Sequence, residues 1–250
     1  MNSQRGLRYM TAVVSLSLTV WSGCGSRGWD ARPATETGES VTAPPELSFG
    51  EQLERVRKGT SDRIEITQTV ISDDELAQVR ELHALKTLIL DRGNVSDAGL
   101  VHLSTNTTLE HLRLRESAVG DQGVAALKGL GQLRILNLPD AAFSDEGLRR
   151  ICQFPSLELL RFGSSRVSDE GMGYLANLKS LRFLHLINVP VTDKGLKPLE
   201  KMIRLESFYL DGSNTSDDGL SALIKSRPDL HFHKDQRHLD FDPRREDHAH

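Results

Sequence analysis

Carboxylates at a fixed interval are the first residues in this chain that could do chemistry. Asp73, Asp97, Asp121, Asp145, Asp169, Asp193 and Asp217 recur every 24 residues without insertion or deletion. Such a row could ligate calcium, but the glycine-rich nonapeptide loops that do so in stacked repeats are missing. Each aspartate instead follows Ser72, Ser96, Gly120, Ser144, Ser168, Thr192 or Ser216, and a glycine stands two residues on in six of the seven units, Glu75 being the exception. A hydroxyl followed by a carboxylate marks a helix entrance, where the hydroxyl accepts from a free backbone N–H and the carboxylate faces the positive end of the helix dipole. The row is read as local capping, without metal. His231-x-His233, His238 and His248-x-His250 could hold a transition ion weakly, yet they sit in or near a mobile end with no supporting shell. Cys152, beside Ile151 in a helical row, reads as a half-buried inert thiol, and no Gly-x-Ser-x-Gly elbow is present. Gly23-x-Gly25-x-x-Gly28 has dinucleotide-binding spacing but lacks the strand before it and the helix after it that would place a pyrophosphate. No catalytic residue, metal or cofactor is expected.

The elements that carry these residues follow from the same period. A unit of this length cannot bury its own apolar face and must stack on its neighbours, giving a solenoid with a continuous core. Leu85, Leu109, Leu133, Leu157, Leu181 and Leu205 form one apolar row. Leu88, Leu112, Leu136, Leu160, Leu184 and Phe208 form a second, and Leu90, Leu114, Leu138, Phe162, Leu186 and Leu210 a third, two residues further on. Spacing by two puts both side chains on one face of a short strand. Another inward residue follows (Val95, Val119, Phe143, Val167, Val191), and pairs such as Leu100 with Leu103 suit a short helix. Each unit reads as strand, turn and helix.

The pattern Leu-x-x-Leu-x-Leu, then Val-Ser/Thr-Asp-x-Gly-Leu-x-x-Leu, resembles the leucine-rich repeat, in the subtype carrying Ser/Thr-Asp-x-Gly-Leu, over Ser61 to Lys234. The resemblance implies an α/β leucine-rich-repeat solenoid of about seven repeats, with a curved parallel sheet on the concave face and short helices on the convex face. The cysteine and asparagine that many members place in the turn are missing. Phe49–Gly59, with Leu53 and Val56 among charges, suits an amphipathic N-terminal cap, while Leu230 and Phe232, after Pro228, suit a closing strand.

In parallel strands, residues one period apart are lateral neighbours, so rows become stripes. One stripe alternates strictly in sign: Asp62, Lys86, Glu110, Arg134, Glu158, Arg182, Glu206. It reads as registry and solubility. The next places Ile135, Leu159 and Phe183 side by side and outward. With Ile187 and Tyr209, and rimmed by Arg113, Arg115, Arg161 and His185, these residues would compose an apolar patch with a basic border on the concave face, the make-up of a protein-binding site. Self-association, or cover by loops, tail or a second copy, are the other readings of the patch.

Arg5 and Arg8 precede Thr11–Trp21, a run of 11 uncharged residues too short to span a membrane, with small residues after it: a signal-peptide layout. Trp21-Ser22-Gly23-Cys24 resembles the lipobox of bacterial lipoproteins, with Trp21 where an aliphatic residue is usual. That implies Cys24 as the acylated first residue of the mature chain, bearing palmitate-class chains, with ordinary secretion or a retained membrane-proximal helix as alternatives. The plan is then signal peptide 1–23, flexible stalk 24–48, N-terminal cap 49–60, leucine-rich repeats 61–234 and mobile charged tail 235–250.

Composition narrows the work such a chain can do. Its 31 basic and 35 acidic residues give a net charge of −4, and only 5% are aromatic, which disfavours nucleic acid. Two cysteines are too few for a disulfide framework. The expected function is a non-enzymatic module that binds an unidentified protein or peptide at the bacterial cell envelope, held to the membrane by lipid and facing periplasm or exterior. The alternatives are a secreted form, an intracellular adaptor, because similar repeats occur in substrate-recognition subunits of ubiquitin ligases, and an enzyme with a site at a solenoid end. Asn94, Asn106 and Asn214 begin Asn-x-Ser/Thr sequences that matter only in a glycosylating host.

Overall fold

The structure, a computed structural model, describes Glu46–Asp235; the leader, Cys24, the stalk before Glu46 and the charged stretch after Asp235 lie outside the described residues. Among the described residues no helix is long and apolar enough to cross a membrane. Helix α1 (Phe49–Arg57) opens on a capping box between Ser48 and Glu51 and buries Phe49, Leu53 and Val56. Its Gln52 does a strand's work at the sheet edge: the side-chain amide donates to the Glu65 carbonyl at 2.8 Å and accepts from the Glu65 N–H at 2.7 Å. An edge strand that would otherwise present open backbone groups is covered in this way.

From there the chain alternates β1 (Arg63–Ile66), β2 (Ile71–Ser72), α2 (Asp73–Leu76), β3 (Thr87–Leu90), β4 (Gly93–Asn94), α3 (Asp97–Leu100), β5 (His111–Leu114), α4 (Asp121–Ala126) and β6 (Ile135–Leu138). It continues through α5 (Asp145–Ile151), β7 (Leu159–Gly163), α6 (Asp169–Met172), β8 (Phe183–Ile187), α7 (Asp193–Leu196), β9 (Ser207–Asp211), α8 (Asp217–Ser226) and β10 (His231–Lys234). Eight strands form one parallel sheet in the order β1-β3-β5-β6-β7-β8-β9-β10, with β2 and β4 pairing separately. Seven units and a closing strand account for the eight. The register is one period per strand: Leu112 opposes Leu136, which opposes Leu160, which opposes Leu184. The leucine rows therefore stack in the core, where Leu85, Leu136, Leu138 and Leu160 have no exposed surface. Several of the expected helices are α for one turn and then 3-10, as at Val101–Leu103, Gly173–Asn177 and Lys197–Lys201. The steeper 3-10 rise covers the same width with fewer residues, which a short unit needs.

Each aspartate stands in the first turn of its own helix, as the sequence reading had it, and its carboxylate also bonds to the next unit, which that reading missed. The Asp145 carboxylate accepts from the Ser168 N–H at 2.8 Å and from the Ser168 hydroxyl at 2.6 Å. Asp121 does the same to Ser144, Asp169 to Thr192 and Asp193 to Ser216. Each hydroxyl in turn accepts from its own helix, as Ser168 does from Glu170 N–H at 3.2 Å. The glycine two residues after each aspartate lies under the aspartate of the preceding unit, and a Cβ there would meet that carboxylate in all six glycine-bearing units. Glu75 needs no glycine because no aspartate precedes it; it closes a capping box with Ser72 instead. At the far end no further unit follows among the described residues, and Asp217 pairs with Lys234 at 3.0 Å.

Two buried polar side chains seal loops between units. Asn106, with no exposed surface, donates through Nδ2 to the carbonyls of Val79 and Leu82 at 3.0 Å each. Arg227 donates to the equivalent carbonyls five units later, Leu199 at 3.2 Å and Met202 at 2.7 Å. The alternating-charge stripe resolves into separate pairs, Lys86 with Glu110, Arg134 with Glu158 and Arg182 with Glu206.

Candidate binding face

Alternate residues of each strand point away from the core, and the one-period register lines them up. Ile135 opposes Leu159 and Leu159 opposes Phe183, so three apolar side chains stand side by side, each half-buried on the outward face. Leu159 and Phe183 wall a shallow cleft that Arg161 and His185 also line. The guanidinium of Arg182 lies over the Phe183 ring at 5.1 Å. Ile187, also half-buried, sits one step further along β8, between Gly163 and Asp211.

The basic residues form a middle column more than a rim. Arg113 is in register with Asn137, which opposes Arg161, which opposes His185. Arg113 pairs with Asp91 at 2.7 Å, and Arg115 approaches the same carboxylate at 4.0 Å. Burial holds the Asp91 carboxyl above its ordinary range even though Arg113 pulls the other way. Burial lowers the pKa of Arg115 and of Arg161; Arg161 lowers Arg115 further, and Arg113 lowers Arg161 further against the opposing pull of Asp211. His111 is pushed down to about 4, by burial first and then by Arg63 and Arg113.

Tyr209 stands opposite His185 in the neighbouring column, while Ser207 follows Phe183 in the apolar row. It packs in a separate cluster at the β10 end, stacked on His233 at 4.6 Å, edge-on to His231 at 6.1 Å and tilted against His185 at 5.5 Å. His185 Nε2 lies 2.8 Å from Asp211. His231 and His233, read from sequence as belonging to or adjoining a mobile end, are strand residues whose Nε2 atoms are 2.9 Å apart, so one donates and the other accepts. Among the described residues no group of three or more His, Cys, Asp or Glu side chains is placed to hold a metal ion. The roles of Asp91 and Asp211 as partners of Arg113 and His185 escaped the sequence reading. The signal was available, since each pair is one period apart less or plus two residues, a diagonal across adjacent strands.

Away from the sheet, the Cys152 thiol is buried, and burial pushes its pKa up to about 12. A cavity of about 430 Å³ opens on the flank, where Ser168, Asp169 and Lys194 line it. Both Ser168 and Asp169 are already engaged in the capping chain between units.

Comparison with known proteins agrees with this geometry. Residues 105–128 match the family described as "Leucine Rich repeat". Among solved structures the chain is similar to an internalin C2 from Listeria monocytogenes, with 17% identity and a TM-score of 0.56, over 69% of this chain and 80% of that one. No curated protein matches. The fold is a leucine-rich-repeat solenoid, a parallel sheet with alternating short helices.

Proposed function

We propose that the protein is a non-catalytic recognition module whose outward sheet face docks a protein or peptide, and that Cys24 tethers it by lipid to a bacterial envelope. The observation that carries the first half is the in-register row Ile135, Leu159 and Phe183, apolar side chains turned outward beside Arg113, Arg115 and Arg161. Apolar anchors bordered by guanidinium groups are the composition that concentrates binding energy at interfaces. Ile187, Tyr209 and His185 extend the surface toward the closing strand. The second half is supported by the uncharged leader run and the lipobox-like Trp21–Cys24.

Two experiments test the halves separately. A photoreactive residue in place of Phe183, expressed in the native host, is expected to cross-link a partner that Arg161→Glu loses without change in the circular dichroism spectrum. An unchanged cross-link in that variant removes the assignment of the face. Labelled fatty acid should enter the wild-type chain and not Cys24→Ala; equal labelling of both removes the tether.

A further inference from the structure

The chain itself contains a segment with the chemistry this face selects. After the last described residue comes Gln236-Arg237-His238-Leu239-Asp240-Phe241-Asp242, an aromatic ring with a carboxylate on each side. Its point of departure is fixed. The Asp235 N–H donates to the Leu210 carbonyl at 3.1 Å, its carboxylate accepts from the Gly212 N–H at 3.0 Å, and its φ of 48° turns the chain out of the line of β10. That end of β10 is the end of the sheet where Ile187 and Asp211 lie.

The reach is sufficient. Six residues from Asp235 to Phe241 span up to about 20 Å when extended. The apolar pair Leu159 and Phe183 lies two to three strand spacings across from β10 and four residues back along it, about 16–20 Å from Asp235. Arg161 lies beside Phe183, and Arg115 is near enough for Arg161 to lower its proton affinity. Carboxylates placed against them form charge-assisted hydrogen bonds and relieve that repulsion.

We propose that the stretch 236–250 docks on the outward face of its own sheet, with Phe241 packed over Leu159 and Phe183 and with Asp240 and Asp242 against Arg161 and Arg115. A partner must then displace it, and the segment tells what such a partner offers: an aromatic residue flanked by acids. This rests on the reading of the face as a docking surface.

The test uses the full chain with p-benzoylphenylalanine in place of Leu239, which leaves Phe241 and both aspartates intact. Irradiation of the dilute protein is expected to give an intramolecular cross-link to the peptide carrying Leu159 or Phe183, with yield cut about tenfold by Arg161→Glu or by 1 M salt. A cross-link confined to a dimer band means a second copy is the occupant, and cross-links elsewhere or none mean the face is not the segment's seat; each overturns the proposal. A synthetic peptide of residues 236–250 should bind Phe241→Ala full chain at least about tenfold more tightly than wild type, because the tethered copy competes at millimolar effective concentration. Equal affinity also overturns it. The partner cross-link from position 183 is a separate readout: if it persists while the Leu239 cross-link fails, the docking surface stands and only the self-docking falls.

Discussion

Gly147 donates its backbone N–H to the Asp121 carboxylate at 2.9 Å, across 26 residues and from one unit to the next. A methyl group on Gly147 would lie 2.6 Å from that oxygen and 2.5 Å from Phe143 Cβ. The motif Asp-x-Gly is therefore two halves of different contacts, the aspartate reaching forward and the glycine receiving from behind.

Gly147→Ala should destabilise the fold by about 1–3 kcal/mol, the usual consequence of overpacking. Gly173→Ala, where φ is −58° and nothing lies within 4 Å of the added Cβ, should be neutral or stabilise by about 0.4–1 kcal/mol. Denaturant midpoints of the two variants separate the steric explanation from a general intolerance of alanine.

Asp145→Ala removes both acceptors from Ser168, leaving its N–H and hydroxyl to find water. A loss of about 1–3 kcal/mol is expected, with hydrogen exchange accelerating at the entrance of α6 more than at that of α5, where Asp145 itself sits. Acceleration confined to the α5 entrance would mean that the carboxylate acts only on its own helix.

His111 has a folded-state pKa of about 4 against an ordinary 6.5, so between those values the unfolded chain binds the extra proton. Its contribution to stability is complete above about pH 6.5 and declines as pH falls toward 4, by at most roughly 3 kcal/mol. The His111 ring resonances should not titrate between pH 7.5 and 5, and His111→Gln should flatten that limb of the stability–pH curve.

The Cys152 thiol, buried and shifted to about 12, should not react with Ellman's reagent in native Cys24→Ser protein at pH 8, and should react stoichiometrically in denaturant. Prompt reaction of the native protein would place the sulfur at the surface.

Asn106 should carry no glycan when the chain is secreted from a glycosylating host, while Asn94 and Asn214, both exposed, remain available. Asn106→Ala removes the second donor from the Val79 and Leu82 carbonyls, which keep the N–H groups of Leu82 and Leu85, and should cost about 1–2 kcal/mol in urea unfolding.

The rows of leucine were legible because a side chain that recurs every 24 residues at strand spacing has one place to go, and Leu136, Leu138 and Leu160 are fully buried there. The outward stripe of Ile135, Leu159 and Phe183 followed from the same register. The reach of the aspartates was not legible from local rules, which see only a helix's own first turn; stacking brings the next helix entrance within 3 Å of the carboxylate. Asn106 could have been noticed, since Leu82, Leu130, Phe154, Leu178 and Met202 occupy its row in other units. A lone amide in an apolar row signals backbone groups within its reach, here two carbonyls that each take it as a second donor.

Gln52, standing in for a missing strand beside Glu65, and Lys234, answering the last aspartate, give the stack two dissimilar stoppers. Between them the bonds from carboxylate to neighbour recur once per unit. The molecule can consequently grow or shrink only in quanta of one unit, each adding or removing about 4.8 Å of recognition surface while both stoppers stay in place.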